Sequence, residues 1–443
     1  MESIDEKTEM SGQDYNDAIA FLYSQLPMFS RVGQAAYKPG LDTSLNIDRH
    51  FGSPHKRFKS IHIAGTNGKG STSHMIASIL QAQGYKTALY TSPHLIDFRE
   101  RMRVNGQMIP RQKVVDFVNR WKCSGCDLHP SFFELTMMMA FDWFANENVD
   151  YAVIEVGMGG RLDSTNIITP EVCVITNISA DHTQFLGESL TQIAEEKAGI
   201  MKKGIPVVVG EAEGEIRKVF ERKSLQTGAP TRFAEDNERL RHVSEGTLGG
   251  WLCSSREGEF LLPLSGDYQK KNANTVLNAI DAMRDSGIVI SDKSVVSGLE
   301  NVIRATGLSG RWSVIRESPL VIADTGHNIA GISYNMKQLH RVAARHPEGK
   351  IRIVIGFVAD KAIGKILELL PRDAIYYITN ADIPRALPAA QLYDRFKEAG
   401  LDGCIFHKVS EAYHAALNDS GIDDVIYIGG STFVVADFLA SLS

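Results

Sequence analysis

Cysteine is scarce, with five residues in a chain of 443. An odd, scattered set makes no disulfide framework and fits a reducing compartment. Positive charge is not in excess either. The 47 Lys and Arg face 53 Asp and Glu, for a formal net charge of −6. That balance argues against bulk nucleic-acid binding and leaves room for a local basic site that takes a small phosphate compound. No apolar run approaches the roughly 18 residues needed to span a bilayer, and mean hydropathy is −0.13. The opening MESIDEKTEMSGQDYNDAIA is acidic and polar, unlike the cationic start and apolar middle of a secretory signal. The expectation is a cytoplasmic protein with no nucleic-acid or membrane partner. Cys123 and Cys126 have CxxC spacing with His129 nearby, but no second pair follows. They sit in a loop punctuated by Gly, Asp and Pro, so two reduced thiols are the plainer reading.

What the chain does contain is alternation. Short β-branched runs alternate with longer helical patterns, which is the sequence form of βαβ units and a mostly parallel sheet. Strands are expected at Ser60–Ala64, Lys86–Thr91, Tyr151–Val156, Val172–Asn177 and Ile205–Val209, all apolar enough to be buried on both faces. Helices are expected over Ser71–Gln83, with Gly84 as a stop, over Phe132–Asn146 and over Gln269–Ser286. The run Met137, Met138, Met139 reads as core filling rather than a cofactor surface. Between Asp236 and Leu264, short strand-like pieces broken by Gly246, Gly249, Gly250 and Gly258 suggest a small antiparallel excursion. A turn-rich Thr-Gly-Leu-Ser-Gly stretch after Ala305 precedes new strands near Leu320, Ile351, Ile375 and Val425. The fold class expected is α/β, in two tandem α/β domains. An N-terminal P-loop ATPase-like unit with a mostly parallel sheet spans 1–305, and a smaller Rossmann-like unit spans 306–443.

Three segments carry chemistry. Ala64-Gly-Thr-Asn-Gly-Lys-Gly-Ser-Thr72 stands between an apolar strand and an amphipathic helix, where a phosphate loop belongs. Glycines turn backbone N–H groups toward phosphate oxygens, the helix N-terminus adds positive potential, and Lys69 reaches the terminal phosphates. Ser71 or Thr72 offers a hydroxyl to magnesium. The strict pattern G-x-x-x-x-G-K-[ST] would place Gly at 63 and a hydroxyl at 70, where the chain has Ile63 and Gly70, so this is a variant loop. Glu155 ends an apolar strand, where a carboxylate is costly to bury unless it is paired or holds a cation; both readings stand on sequence alone. Asn177-Ile-Ser-Ala-Asp-His182 leaves another strand end at the edge where open α/β sheets bind ligands. Lys197, on spacing alone, is a solvated helical lysine.

Taken in order, His62-Ile-Ala-Gly-Thr-Asn-Gly-Lys-Gly-Ser71, Tyr90-Thr-Ser-Pro-His-Leu95, Phe132-Phe-Glu-Leu-Thr136, Glu155-Val-Gly-Met-Gly-Gly-Arg-Leu-Asp-Ser-Thr-Asn166, Asp181-His182, Glu196-Lys-Ala-Gly-Ile200 and Asp324-Thr-Gly-His-Asn328 resemble the folylpolyglutamate and dihydrofolate synthases of the Mur ligase superfamily. The resemblance implies an ATP-dependent amide ligase. Such an enzyme phosphorylates a pteroate or folate carboxylate and lets the glutamate amine displace phosphate, most simply in the bacterial bifunctional form. It implies ATP held by Thr66, Asn67, Gly68, Lys69, Gly70 and Ser71, and by Asn272, Arg311 and Asp324 from the second half. Magnesium, in two ions, would be held by Ser71, Ser92, Glu155, His182 and Lys197, the last carbamylated. Lys69, Lys197 and His327 would be catalytic, and Phe133, Arg161 and Leu162 would receive the pteroate. A monovalent cation and a monomeric state are further implications.

Two positions depart from the family pattern. Tyr268 stands where many relatives carry His, and Thr325-Gly326 stands where a Gly-Ala pair is common. A cell-wall Mur-type amino-acid ligase is the nearest alternative. It would carry a further N-terminal domain, and only 64 residues precede Gly65, short against about 100 for a domain. A nucleotide-binding regulator without ligase activity is the alternative from another class.

Overall fold

The computed structural model describes residues 12–26, 40–246, 250–359 and 363–442. Its first sheet has eight strands: β1 (Lys59–Ala64), β2 (Thr87–Tyr90), β3 (Met102–Val104), β4 (Gln107–Met108), β5 (Tyr151–Glu155), β6 (Val172–Ile175), β7 (Val207–Val209) and β8 (Thr231–Phe233), in the order β4-β3-β2-β5-β1-β6-β7-β8. All neighbours are parallel except the pairs made by β3, which is antiparallel to both β2 and β4. β1 lies at the centre, with Ile63 opposite Glu155 on one side and Val174 on the other.

The five expected strands are all present, each trimmed or shifted by one or two residues where the ladder ends. Burial on both faces explains their uninterrupted apolar composition. On one face, Ile61 and Ile63 pack with Met75, Ile79 and Leu80 of the helix Lys69–Gln83 and with Val276 and Ile280 of the helix Tyr268–Asp285. On the other, Ala88, Tyr90 and Ile154 meet the helix Phe132–Asn146. There Met137, Met138 and Met139 are at most 1% exposed, so the methionine run is core. The helices Gly12–Gln25, Asp42–His50 and Arg111–Cys123 join that face and were not among the sequence expectations.

The antiparallel excursion is a three-stranded sheet, β9 (Arg241–Glu245), β10 (Trp251–Ser255) and β11 (Gly258–Leu262), in the order β11-β10-β9. Gly249 lies outside the described residues. Arg239, Arg256 and Arg284 share the buried Glu257 carboxylate, and Arg239 and Arg256 also reach Asp281, riveting this sheet to the helix Tyr268–Asp285.

The second large sheet has six strands, β12 (Ser313–Glu317), β13 (Leu320–Ala323), β14 (Ile351–Ile355), β15 (Ile375–Ile378), β16 (Gly403–Ile405) and β17 (Val425–Gly429), in the order β12-β13-β17-β14-β15-β16. Only the edge strand β12 is antiparallel. This is the α/β class expected, in two parallel-rich sheets. The lobes meet along side-chain bonds: the Asp267 amide donates to Gln338 Oε1 at 2.7 Å, and Arg341 pairs with Asp267 at 2.6 Å. No helix among the described residues is long and apolar enough to cross a membrane.

Candidate active site

At the end of β1 the chain turns through Gly65 and Gly68 into the helix Lys69–Gln83. Gly65 has φ 143° and Gly68 φ 81°, conformations that glycine adopts without strain. A methyl group would also fall 1.8 Å from Thr176 Oγ1 at the first and 2.3 Å from Asn272 Oδ1 at the second. The turn is pinned to the end of β6. The Thr66 amide donates to the Asn177 carbonyl (2.9 Å), the Asn67 amide to Asn177 Oδ1 (3.0 Å), and the Thr176 hydroxyl to the Asn67 carbonyl (2.5 Å). The first amides of the helix have no partners within it and form an anion-binding end. Lys69 Nζ rests on the carbonyls of Gly65 and Thr66, both at 3.1 Å, weak tethers that a phosphate would outbid.

This loop forms one wall of an open cleft of about 220 Å³. Thr66, Asn67, Gly68, Lys69, Gly70, Ser71 and Asn272 line that wall, Ser92 and Glu155 lie at its base, and Arg311, Asp324 and His327 come from the second lobe. A smaller cavity of about 50 Å³ adjoins it, sharing Gly70, Ser92, Glu155, Arg311 and Thr432 and adding His74, Arg103 and Ser309.

Glu155 is 2% exposed, and its Oε2 accepts the Ser92 amide at 3.1 Å. Burial raises its pKa, against the pull of Lys69, the Ser92 N–H and Arg311. Ser71 Oγ accepts from the buried Gln269 amide at 3.0 Å, and Gln269 in turn accepts from Asn272 at 2.9 Å, which orients the hydroxyl at the loop. Asp324 is saturated. It accepts from Tyr268 (2.6 Å), Trp312 N, Gly326 N and Asn335 Nδ2 (each 2.7 Å). Tyr268 is therefore a bolt between the lobes.

Other expected residues lie outside the cleft lining. Lys197 is 4% exposed behind the phosphate loop and donates to the Gly65 carbonyl at 2.9 Å. Burial first, then the nearby Lys69 charge, brings its pKa down to about 7. Its spacing pointed to solvent, and the fold buries it. His182 sits at φ 50° with Nε2 3.9 Å from Asp181, a carboxylate that also faces His327 at 3.4 Å and Asn328 at 3.3 Å. Asn328 reaches on to Asn67 Oδ1 at 2.9 Å, so the phosphate loop, the 177–182 loop and the second lobe meet at one polar junction. Phe133 lies over Gly157, where a methyl would approach its ring to 2.5 Å, and its ring centre is 5.9 Å from that of Tyr90. Arg161 is exposed and paired with Glu196 at 2.7 Å, and Leu162 is half-buried beside it.

Thr325, Tyr334 and Asn335 complete the second wall and were missed in the sequence. The signal for the last two was available. Asn328 caps the helix Ile329–Ala343, and Ala330 and Gly331 sit one turn before Tyr334 and Asn335 on the same face.

Among the described residues no group of three His, Cys, Asp or Glu side chains is arranged to hold a metal alone. Magnesium commonly takes one or two carboxylates and completes its shell with water and substrate phosphates. A buried, underpartnered Glu155 opposite an oriented serine hydroxyl fits that habit.

The Mur ligase middle domain model matches residues 63–280, and the Mur ligase, glutamate ligase domain model matches residues 310–432. The folylpolyglutamate synthase of Lacticaseibacillus casei is 32% identical over 96% of this chain and 97% of its own. A structure of E. coli FolC in complex with DHPP and ADP superposes with a TM-score of 0.83 at 30% identity, covering 98% of this chain and 99% of that one. A bifunctional folylpolyglutamate synthase/dihydrofolate synthase with Mn, AMPPNP and L-glutamate bound gives 0.80 at 29%, covering 97% and 98%. Full-length similarity on this scale, with both Mur ligase models in order, places the chain in the folylpolyglutamate synthase/dihydrofolate synthase family.

Proposed function

We propose that the protein is an ATP-dependent ligase that adds L-glutamate to dihydropteroate and to reduced folates, releasing ADP and phosphate. The observation that carries this is a single cleft with a phosphate loop on one wall, Arg311 and His327 on the other, and a buried carboxylate at its base. Phosphoryl transfer to a carboxylate needs positioning and cationic clamping more than acid–base groups. An acceptor carboxylate oxygen bonds to the γ-phosphorus as ADP leaves. The glutamate amine then bonds to the acyl carbon, loses a proton and expels phosphate.

In this reading Thr66 to Ser71 hold the triphosphate, with Asn272, Arg311 and Asp324 shaping the nucleotide pocket. Lys69 and Arg311 flank the transferring phosphoryl group, and His327 faces the glutamate side. Ser71, Ser92, Glu155, His182 and a carbamylated Lys197 serve two magnesium ions, whose chemistry is to neutralise the developing phosphate charge. Phe133, Arg161 and Leu162 receive the pteroate. The adjoining cavity, with Arg103 and Arg311 on its walls, suits the carboxylates of glutamate. A related structure holds a metal, a nucleotide analogue and L-glutamate together, which supports a site that takes all three. A domain boundary between residues 305 and 306, a cytoplasmic monomer and a monovalent cation complete the proposal.

The test is incubation with ATP, magnesium, L-glutamate and either dihydropteroate or tetrahydrofolate, with phosphate release and product mass recorded. A glutamate-sized mass gain on both acceptors is expected. ATP hydrolysis without a gain on either would turn the reading toward a nucleotide-binding regulator or another amide ligase.

A further inference from the structure

We propose that His62 is a positioning residue for the acceptor substrate, acting through Thr165 and Asp163 on the glycine-rich loop 157–166. The proposal rests on the ligase reading, in which that loop and Phe133 receive the pteroate.

His62 lies on the central strand β1, three residues before the phosphate loop begins, and its side chain is fully buried. Its Nε2 is 2.9 Å from Thr165 Oγ1, and Thr165 Oγ1 is 2.5 Å from Asp163 Oδ1. The direction of this chain follows from the donors gathered on Asp163. Burial pushes the Asp163 carboxyl up, while the Thr165 hydroxyl, the Met158 amide on Oδ2 (2.8 Å) and the Thr165 amide on Oδ1 (3.0 Å) all donate to it and favour its ionised, acceptor-only form. The single Thr165 hydroxyl proton therefore goes to Asp163, and His62 must be the donor through Nε2–H. A neutral ring with a bare Nδ1 follows, and Nδ1 is buried without a hydrogen-bond partner. Burial keeps the ring neutral, with its pKa brought down to about 3.

An orphaned acceptor in the core is costly, because it has given up its water and gained no partner. Leucine at this position would avoid that cost, so the imidazole needs a reason to be there. The chain of bonds supplies one. Asp163 gathers the Met158 amide and caps the turn Ser164–Ile167, thereby setting the backbone of Gly157 on which the Phe133 ring lies. Asn166 fastens the same loop to the carbonyls of Arg161 (3.0 Å) and Gly199 (3.1 Å). His62 thus couples the strand that presents the nucleotide to the loop that presents the acceptor. Without its proton the Thr165 hydroxyl loses its donor from β1, and the floor beneath Phe133 is less firmly held.

The test compares His62→Leu, His62→Gln, Thr165→Val and Thr165→Ser in full-length protein, measuring KM for dihydropteroate and for ATP separately. His62→Leu and Thr165→Val are expected to raise the acceptor KM up to about tenfold, the upper end for one lost hydrogen bond between neutral groups, with the ATP KM within about twofold. Glutamine and serine keep a donor or relay and are expected to restore most of the loss. An unchanged acceptor KM in the Leu and Val variants would overturn the proposal, as would a parallel rise in ATP KM or failure of both conservative variants to rescue. If His62→Leu does not fold, the Thr165 pair decides by the same criteria. A wild-type protein that glutamylates neither acceptor overturns the ligase reading instead, so the two failures are separable.

Discussion

Removing carbon dioxide should inactivate the enzyme reversibly, and the effect should steepen below pH 7. The reasoning starts at Lys197, buried behind the phosphate loop with its pKa brought down to about 7 by burial and then by Lys69. At pH 8 roughly nine-tenths of such an amine is neutral, against about 0.3% for a lysine at its ordinary value, a gain of about 300-fold in the nucleophile. The free amine attacks the carbon of CO2, releases one proton and leaves a carbamate whose nitrogen keeps one hydrogen. That hydrogen suffices for the existing bond to the Gly65 carbonyl. The same Lys69 charge that opposes an ammonium at 197 favours a carbamate there. In the proposed carbamylation, formation releases a proton and needs the neutral amine, so carbamate is expected above about pH 7 and is expected to be lost as pH falls below it. The assay is ligase activity after dialysis under nitrogen at pH 6, then after addition of 13C-bicarbonate at pH 8, with a carbamate resonance followed by NMR. Recovery in step with the resonance, and loss of both in Lys197→Arg, is expected. Full activity in Lys197→Arg, or no resonance in a fully active sample, would refute the reasoning.

Three further outcomes are expected. Glu155→Gln keeps the shape at the base of the cleft and removes its charge; at about 4 kcal/mol of lost metal-linked stabilisation, turnover falls on the order of a thousandfold, and wild-type turnover in this variant would exclude Glu155 from metal binding. Gly68→Ala forces a side chain into φ 81° and onto Asn272, so a left-handed penalty of about 1–2 kcal/mol adds to the clash; ATP KM should rise at least about tenfold in steady-state kinetics while the acceptor KM stays nearly constant. Tyr268→Phe deletes one of four donors to Asp324 and should cost about 1.5 kcal/mol or more, lowering the thermal midpoint by a few degrees; Tyr268→His keeps a donor and should fall between the two by calorimetry.

The parts of the site that were legible in sequence are those whose chemistry is local. A phosphate loop advertises itself because the strand, the glycines, the lysine and the helix are consecutive, and every residue from Thr66 to Ser71 lines the cleft. Glu155 was legible for a related reason: an ionisable group at the end of an apolar run is expensive to bury without purpose. Lys197 shows the opposite case. Its helix reads as surface, and only the close approach of the helix Leu190–Ala198 to Gly65 buries the amine, a fact of packing that no local pattern encodes. The helices Gly12–Gln25 and Arg111–Cys123 escaped for a similar reason, since polar residues dilute their apolar stripes and they are held by packing on each other and, for the second, on the helix Phe132–Asn146. Asp324 lies between. Its motif marked it as a ligand residue, yet the fold spends all its accepting capacity on Tyr268, Trp312, Gly326 and Asn335. A saturated carboxylate orients its neighbours more readily than it takes a new partner. In the proposed site its contribution to nucleotide binding would therefore run through the Tyr268 hydroxyl and the Gly326 backbone that it holds at the cleft wall, and loss of Tyr268 should be felt in ATP KM as well as in stability.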